Sequence, residues 1–205
     1  MSYKAISDHI LDHLSTKTKI DMEYRDIYTY ALEKYISGIV NTIIFTAAAL
    51  LLRIPIEVAV FFIFYTPLRR YAGGIHAKTR SRCLILSLIL IILFVKAAEY
   101  LSNISFWYAI AGSGILVAIL SVFFFAPVDT EKRRLSFETR RQYRRYARSL
   151  VMLEGALLFL GICILPFMKR YLLVAVMALL LAGILILPYK KIMEGKKYEE
   201  KKRDE

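Results

Sequence analysis

The chain has 205 residues, of which 58% are hydrophobic, and its formal net charge is +12. Its mean hydropathy is +0.49 despite that charge, because the charged residues are concentrated in blocks with apolar runs between them. Apolar runs of about 18 residues or more are typical of transmembrane helices, and they exclude a water-soluble globular protein. In a membrane protein, lysines and arginines orient the chain and meet anionic lipid, so the positive charge does not indicate nucleic-acid binding.

The first 34 residues are polar, with five basic and six acidic side chains, and they do not have the pattern of a cleavable signal peptide. Within them, Ile6, Ile10 and Leu14 recur at helical spacing, which predicts an amphipathic helix over residues 3–15 at the membrane surface. His9 and His13 also lie four residues apart, but the glutamate of the zinc-protease pattern His-Glu-x-x-His is absent. We interpret the two histidines as part of a solvated helix face and expect no metal.

Six apolar segments follow, each a predicted membrane span: residues 35–52, 56–68, 83–95, 104–127, 150–167 and 171–187. The second is short, so at ~1.5 Å per residue it barely reaches across ~30 Å of hydrocarbon. It either crosses while sheltered by its neighbours or is re-entrant. The fold class predicted is all-α: a polytopic membrane protein with about six transmembrane helices and an amphipathic interfacial helix at the N-terminus. We expect a single domain, in which residues 1–34 and 189–205 flank a bundle formed by residues 35–188.

The charges of the loops predict the orientation of the chain. The loops after the second and fourth segments are rich in Lys and Arg, and the first of these two loops contains no acidic residue. The loops after the first, third and fifth segments hold few charges. Because cytoplasmic loops of membrane proteins are enriched in Lys and Arg, both termini and the loop between the second and third segments are expected to be cytoplasmic.

That loop combines residues that can form a nucleophile and its base. Cys83 should be a reduced thiol in the cytosol, and the arginines near it in sequence favour the nucleophilic thiolate. His76 could act as its base if the two side chains came within hydrogen-bond reach. On one continuous helix they would be ~10.5 Å apart along the axis. A dyad therefore requires the chain to turn back, so that Cys83 lies at the beginning of a second helix. Gly73-Gly74 would supply the backbone freedom for this turn, and backbone amides near them could stabilise an oxyanion.

Two motifs resemble one known family. They are Arg69-x4-Gly74-x-His76-x6-Cys83, between the second and third segments, and the run Ala126-Pro127-Val128-Asp129-Thr130 after the fourth, which a basic segment follows. Their order and spacing resemble the accessory gene regulator B (AgrB) family. The length and the six-segment layout agree as well, so the resemblance covers nearly the whole chain. The family comprises cysteine endopeptidases of the bacterial cell membrane that process a short pro-peptide, AgrD, for quorum sensing.

The resemblance implies roles for residues of the first motif. Cys83 would be the nucleophile and His76 the general base, and Arg69 and Gly74 match positions that the family needs for activity. We group Arg70 and Gly73 with them as supporting residues. The implied reaction removes the C-terminal segment of the pro-peptide and closes a thiolactone or lactone ring through an acyl-enzyme thioester. The implied partners are an AgrD-like pro-peptide, the lipid bilayer and a second copy in a homodimer, and no cofactor is implied.

Other residues allow more than one interpretation. Arginines at helical spacing could bind the acidic tail of the substrate or anionic lipid; they are Arg141, Arg144, Arg145 and Arg148. Asp129 and Glu138 are candidate acids to orient His76. Glu57 and Glu154 are ionisable groups inside predicted spans, where such groups often have functions.

Two alternatives to the peptidase remain. A non-enzymatic transporter or exporter of a small peptide would use polar groups along a membrane path, such as Glu57, Lys96, Glu99 and Glu154. Its activity would survive the loss of Cys83, and the paired interrupted spans of transporter repeats are not visible in the sequence. An intramembrane metallopeptidase would need a ligand set of the His-Glu-x-x-His kind, which the sequence lacks.

Overall fold

A computed structural model of the protein describes residues 3–17, 25–74, 80–128 and 136–187. Within these ranges the chain forms seven α-helices and one 3-10 turn, Pro166–Met168. The helices are α1 (Tyr3–Lys17), α2 (Arg25–Leu51), α3 (Pro55–Ala72), α4 (Arg80–Leu101), α5 (Trp107–Phe125), α6 (Phe137–Ile164) and α7 (Lys169–Ile184). They belong to two compact units, Met1–Pro55 and Ile56–Glu205.

The first unit pairs α1 with α2 in an antiparallel hairpin. Arg25 Nη2 lies 2.7 Å from Asp12 Oδ1, and Thr29 Oγ1 donates to Asp8 Oδ1 at 3.2 Å. Leu11 is 2% exposed. The predicted helix over residues 3–15 is therefore present, but its buried face includes Leu11 because α1 packs against the polar beginning of α2.

The remainder of α2 is apolar and long enough to cross a membrane. After the end of α2 at Leu51, Arg53 adopts the left-handed backbone conformation at φ +57°. The Ile54 N–H donates to Ala49 O at 2.9 Å, which closes the last turn in the manner of a Schellman cap. Pro55 then begins α3, at a helix position where its missing N–H costs nothing.

In the second unit, α7 is the central helix. It contacts α4, α5 and α6, and every side chain from Leu173 to Leu179 is buried. A helix that is apolar on all sides is suited to such a position. Gly114 of α5 lies against Val176, and Gly183 lies against Ser121. These two contacts show that α5 and α7 run parallel and approach closely where one partner is small.

Among the described residues, five helices are long and apolar enough to cross a membrane: α2, α4, α5, α6, and α7 with the turn before it. The all-α polytopic membrane fold is therefore confirmed. The predicted second span corresponds to α3, which is helical but is not among the five and carries Glu57, Arg69 and Arg70. The helices α2 and α6 begin well before the predicted spans 35–52 and 150–167, because their polar first turns are also helical.

Candidate active site

The end of α3 brings together three residues of the first motif. Arg69 Nη1 donates to Gly73 O at 2.6 Å, so the side chain of Arg69 folds over the end of its own helix. Gly73 has φ +76° and Gly74 has φ +125°, a backbone conformation that L side chains rarely adopt. The chain thus leaves the helix at the Gly73-Gly74 pair, where the sequence predicted backbone freedom.

The two glycines are also needed for space. A Cβ on Gly73 would lie 2.6 Å from Val128 O. A Cβ on Gly74 would lie 2.8 Å from Arg69 Cζ and 2.9 Å from Leu185 O, and closer still to Arg69 Nη1. The guanidinium of Arg69 therefore occupies the space that a side chain at residue 74 would fill.

The second motif pairs with the first. The Val128 N–H donates to Ala72 O at 3.0 Å, and Gly73 and Val128 form an isolated parallel β-bridge. This bond satisfies the last carbonyl of α3, which has no partner within its own helix. The preceding Ala126-Pro127 peptide is cis. The remaining residues of the motif, Asp129 and Thr130, lie outside the described part of the chain.

Cys83 lies in the first turn of α4 as a free, partly buried thiol. Its side chain interacts electrostatically with Arg69 and with Tyr65, which lies one turn before Arg69 on α3. Burial lowers the pKa of the Arg69 guanidinium, and its interactions with Tyr65 and Cys83 oppose that shift. An arginine nevertheless remains protonated in proteins, so the site has a fixed positive charge that interacts with the thiol.

His76, the base of the predicted dyad, is not among the described residues. His76 belongs to residues 75–79, which lie outside the described ranges. Asp129, the candidate orienting acid, also lies outside the described ranges. Arg70, predicted as a supporting residue, is exposed. Glu138 is exposed in the first turn of α6, where a negative charge is favourable beside the positive end of the helix dipole.

The beginning of α6 lies next to the end of α3. The Tyr71 ring packs against the rings of Tyr143 and Tyr146, with centroids 5.7 Å and 5.4 Å away. The predicted arginine face lies on the other side of α6 from these two tyrosines, about half a turn around the helix. Three of its members are exposed, namely Arg141, Arg144 and Arg145. Arg148 differs from them, because it donates to Phe123 O of α5.

Three of the charged residues considered for a membrane path, Glu57, Lys96 and Glu99, lie at the other ends of their helices. Arg170 pairs with Glu57 at 2.7 Å and with Glu99 at 3.4 Å, and Lys96 pairs with Glu99 at 2.9 Å. Glu57 is buried, and the positive charge of Arg170 compensates its negative charge. Sequence reasoning missed Arg170 because nothing local distinguishes it from the adjacent Lys169.

The remaining intramembrane acid is Glu154. It is buried in α6, and its Oε2 has no hydrogen-bond partner among the residues that the structure describes. Sequence reasoning also missed Tyr65. The signal available for it was its position four residues before Arg69, which places both side chains on one face of a helix.

Comparison with known proteins agrees with the motifs. The model of the family described as accessory gene regulator B matches residues 7–187. The chain is 29% identical over 176 residues to an AgrB-like protein of Listeria monocytogenes, covering 83% of this chain and 82% of the relative. It is 27% identical over 142 residues to an AgrB-like protein of Clostridium perfringens, covering 67% of this chain and 66% of the relative, just under two thirds of its length.

No solved structure matches the chain significantly. The family match extends from α1 through α7 and includes both motifs, whose described residues meet at the end of α3. The chain therefore belongs to the accessory gene regulator B family.

Proposed function

We propose that the protein is a membrane-embedded cysteine endopeptidase that cleaves and cyclises a quorum-sensing pro-peptide of the AgrD type. The observation that carries this proposal is the position of Cys83. Its thiol lies at the start of a helix and interacts with the charge of Arg69, a side chain held by Gly73 and enclosed by Gly74. Thiols in such electropositive, partly exposed positions are the reactive ones.

The first step of the proposed reaction is acyl transfer to the enzyme. Cys83 Sγ attacks the scissile carbonyl, and the thiol proton passes to His76. His76 then gives this proton to the leaving amine, so that the C-terminal segment departs and a thioester to Cys83 remains. Arg69 and the Gly74 amide would stabilise negative charge on the carbonyl oxygen in the transition state, since the Gly73 N–H already donates to Arg69 O.

The second step is ring closure. A thiol or hydroxyl within the same peptide attacks the thioester carbonyl, and His76 takes its proton and returns it to the sulfur of Cys83. The product is a thiolactone or lactone, and the free thiol is regenerated. The thioester retains the energy that ring closure needs, provided that water is excluded from it.

The substrate would approach along the arginine face of α6. Arg141, Arg144 and Arg145 are exposed and belong to the same turns of α6 as Tyr143 and Tyr146, which contact Tyr71 near the site from the other side of the helix. Such side chains can bind the carboxylates of an acidic peptide tail. Anionic lipid headgroups offer similar charge, so the tail and the lipid would compete for the same face.

The proposal includes an orientation and an assembly. The site would face the cytoplasm, together with both termini, because the loops at this end of the bundle carry most of the Lys and Arg. A homodimer is proposed as well, as the family resemblance implies. We propose that residues 1–205 act as one peptidase, with no metal or cofactor.

The test is co-expression with the pro-peptide, followed by mass spectrometry. The expected result is a truncated, cyclised peptide and a covalent adduct on Cys83. Cys83→Ala and His76→Ala should abolish cleavage while the amount of protein in the membrane is unchanged, and Cys163→Ala is the matched control. Cleavage at the normal rate by Cys83→Ala would refute the peptidase, and export that survives this change would favour a transporter.

A further inference from the structure

Arg148 supplies a hydrogen bond that the sequence of α5 removes. In a helix the Phe123 carbonyl would accept from the N–H four residues later, but that residue is Pro127, which has no N–H. Arg148 Nη2 donates to Phe123 O at 2.9 Å, and its Cζ lies 5.1 Å from the centroid of the Phe123 ring. The last turn of α5 is therefore capped by a guanidinium from α6.

The capped turn leads directly into the candidate active site. Only four residues separate Phe123 from Val128, whose N–H bonds Ala72 O and whose carbonyl leaves no room for a side chain on Gly73. The Gly73 carbonyl in turn accepts from Arg69. A continuous series of contacts thus runs from Arg148, through the exit of α5 and the end of α3, to the side chain that interacts with Cys83.

We infer that Arg148 is a positioning residue for the active site and not a ligand of the acidic peptide tail. The inference rests on the proposed function and separates Arg148 from the three exposed arginines of α6. Arg148 is half-buried and its Nε is enclosed, with the guanidinium directed at a backbone carbonyl and an aromatic ring. Arg141, Arg144 and Arg145, by contrast, are open to a partner.

The test uses two pro-peptides, one with its native acidic tail and one in which the tail carboxylates are replaced by amides. Arg148→Ala should slow cleavage of both peptides by the same factor, on the order of tenfold or more, as the loss of a charged hydrogen bond implies. Arg145→Ala, the matched change on the exposed face, should slow only the peptide with the acidic tail. Arg148→Lys, which keeps a cationic donor, should recover part of the rate.

Two outcomes would overturn the inference. One is an effect of Arg148→Ala that disappears with the amidated tail, because Arg148 would then bind the tail. The other is cleavage by Arg148→Ala at the wild-type rate. The factor should appear in kcat for a positioning residue, whereas a tail ligand would change KM.

A second measurement does not depend on catalysis. The rate at which a maleimide alkylates Cys83 can be measured in a Cys163→Ser background, because Cys163 is exposed. Arg148→Ala should lower this rate several-fold, as Arg69→Ala should, and Arg148→Lys should restore part of it. An unchanged alkylation rate in Arg148→Ala refutes the positioning role. Failure of the wild-type protein to process the peptide would refute the proposed function and leave this test of Arg148 intact.

Discussion

Replacement of Gly74 by alanine tests whether the space beside Arg69 matters for the reaction. The methyl group would lie 2.8 Å from Arg69 Cζ and 2.9 Å from Leu185 O. Leu185 O belongs to the backbone at the end of α7 and moves little, so the guanidinium must move instead. Its 2.6 Å hydrogen bond to Gly73 O would be lost, and its electrostatic interaction with Cys83 would change.

The size of the effect follows from these contacts. A non-glycine residue at φ +125° costs on the order of 1–3 kcal/mol, and forcing a methyl group into a filled space costs about 1–3 kcal/mol more. Displacing Arg69 removes a charged interaction from the transition state, which corresponds to a loss of about ten- to hundredfold in rate. We expect Gly74→Ala to be less stable and to cleave the pro-peptide at least tenfold more slowly.

The assay is the rate of pro-peptide cleavage, normalised to the amount of enzyme in the membrane. Gly38→Ala and Gly112→Ala are matched controls, because a Cβ at either position meets nothing within 4 Å. Both glycines lie within helices, where alanine is favoured by about 1 kcal/mol. These controls should keep the wild-type rate and at least the wild-type stability.

A double variant identifies the route of the effect. If Gly74→Ala acts by displacing Arg69, the change adds little to the rate loss in a protein that already carries Arg69→Ala. Fully additive losses would mean that Gly74 contributes independently of the guanidinium. Normal cleavage by Gly74→Ala at normal abundance would contradict the reasoning from this contact.

Two further predictions concern the thiols and the opposite end of the bundle. An irreversible thiol reagent should inactivate the Cys163→Ala protein as fast as the wild type, and protection by Cys163→Ala would contradict Cys83 as the nucleophile. Arg170→Leu leaves the buried Glu57 without its ion pair and should lower the stability by about 3 kcal/mol, seen as a lower midpoint of thermal unfolding in detergent. The double variant Glu57→Leu/Arg170→Leu should recover most of this loss; no recovery would mean that the pair is not the source.

Much of the fold could be predicted because membrane helices are signalled locally. Apolar runs indicate the spans directly, and each predicted segment overlaps a helix of the structure. The starts of α2 and α6 were predicted less well. Hydropathy reports where a helix is surrounded by lipid, and the helical backbone continues into the polar turns beyond.

The site could be predicted in part, for a similar reason. The positive φ of Gly73 and Gly74 follows from the only Gly-Gly pair in the chain, and the position of Cys83 follows from the polar loop before an apolar run. The role of Arg148 could not be predicted in this way. Its spacing is the same as that of the exposed arginines on α6, and only α5, packed beside it, distinguishes it from them.

Composition, apolar runs and charge asymmetry are properties of neighbouring residues, so the chain alone indicated a polytopic helical protein and the loop that we propose as its active site. Contacts between distant residues depend on how the helices pack. Packing decided that α7 is central, that Val128 caps α3, that Arg170 compensates Glu57, and that Arg69 interacts with a thiol fourteen positions away in the sequence. The hydrogen bond and the ion pair among these contacts satisfy buried polar groups, a requirement that arises only once the helices have come together.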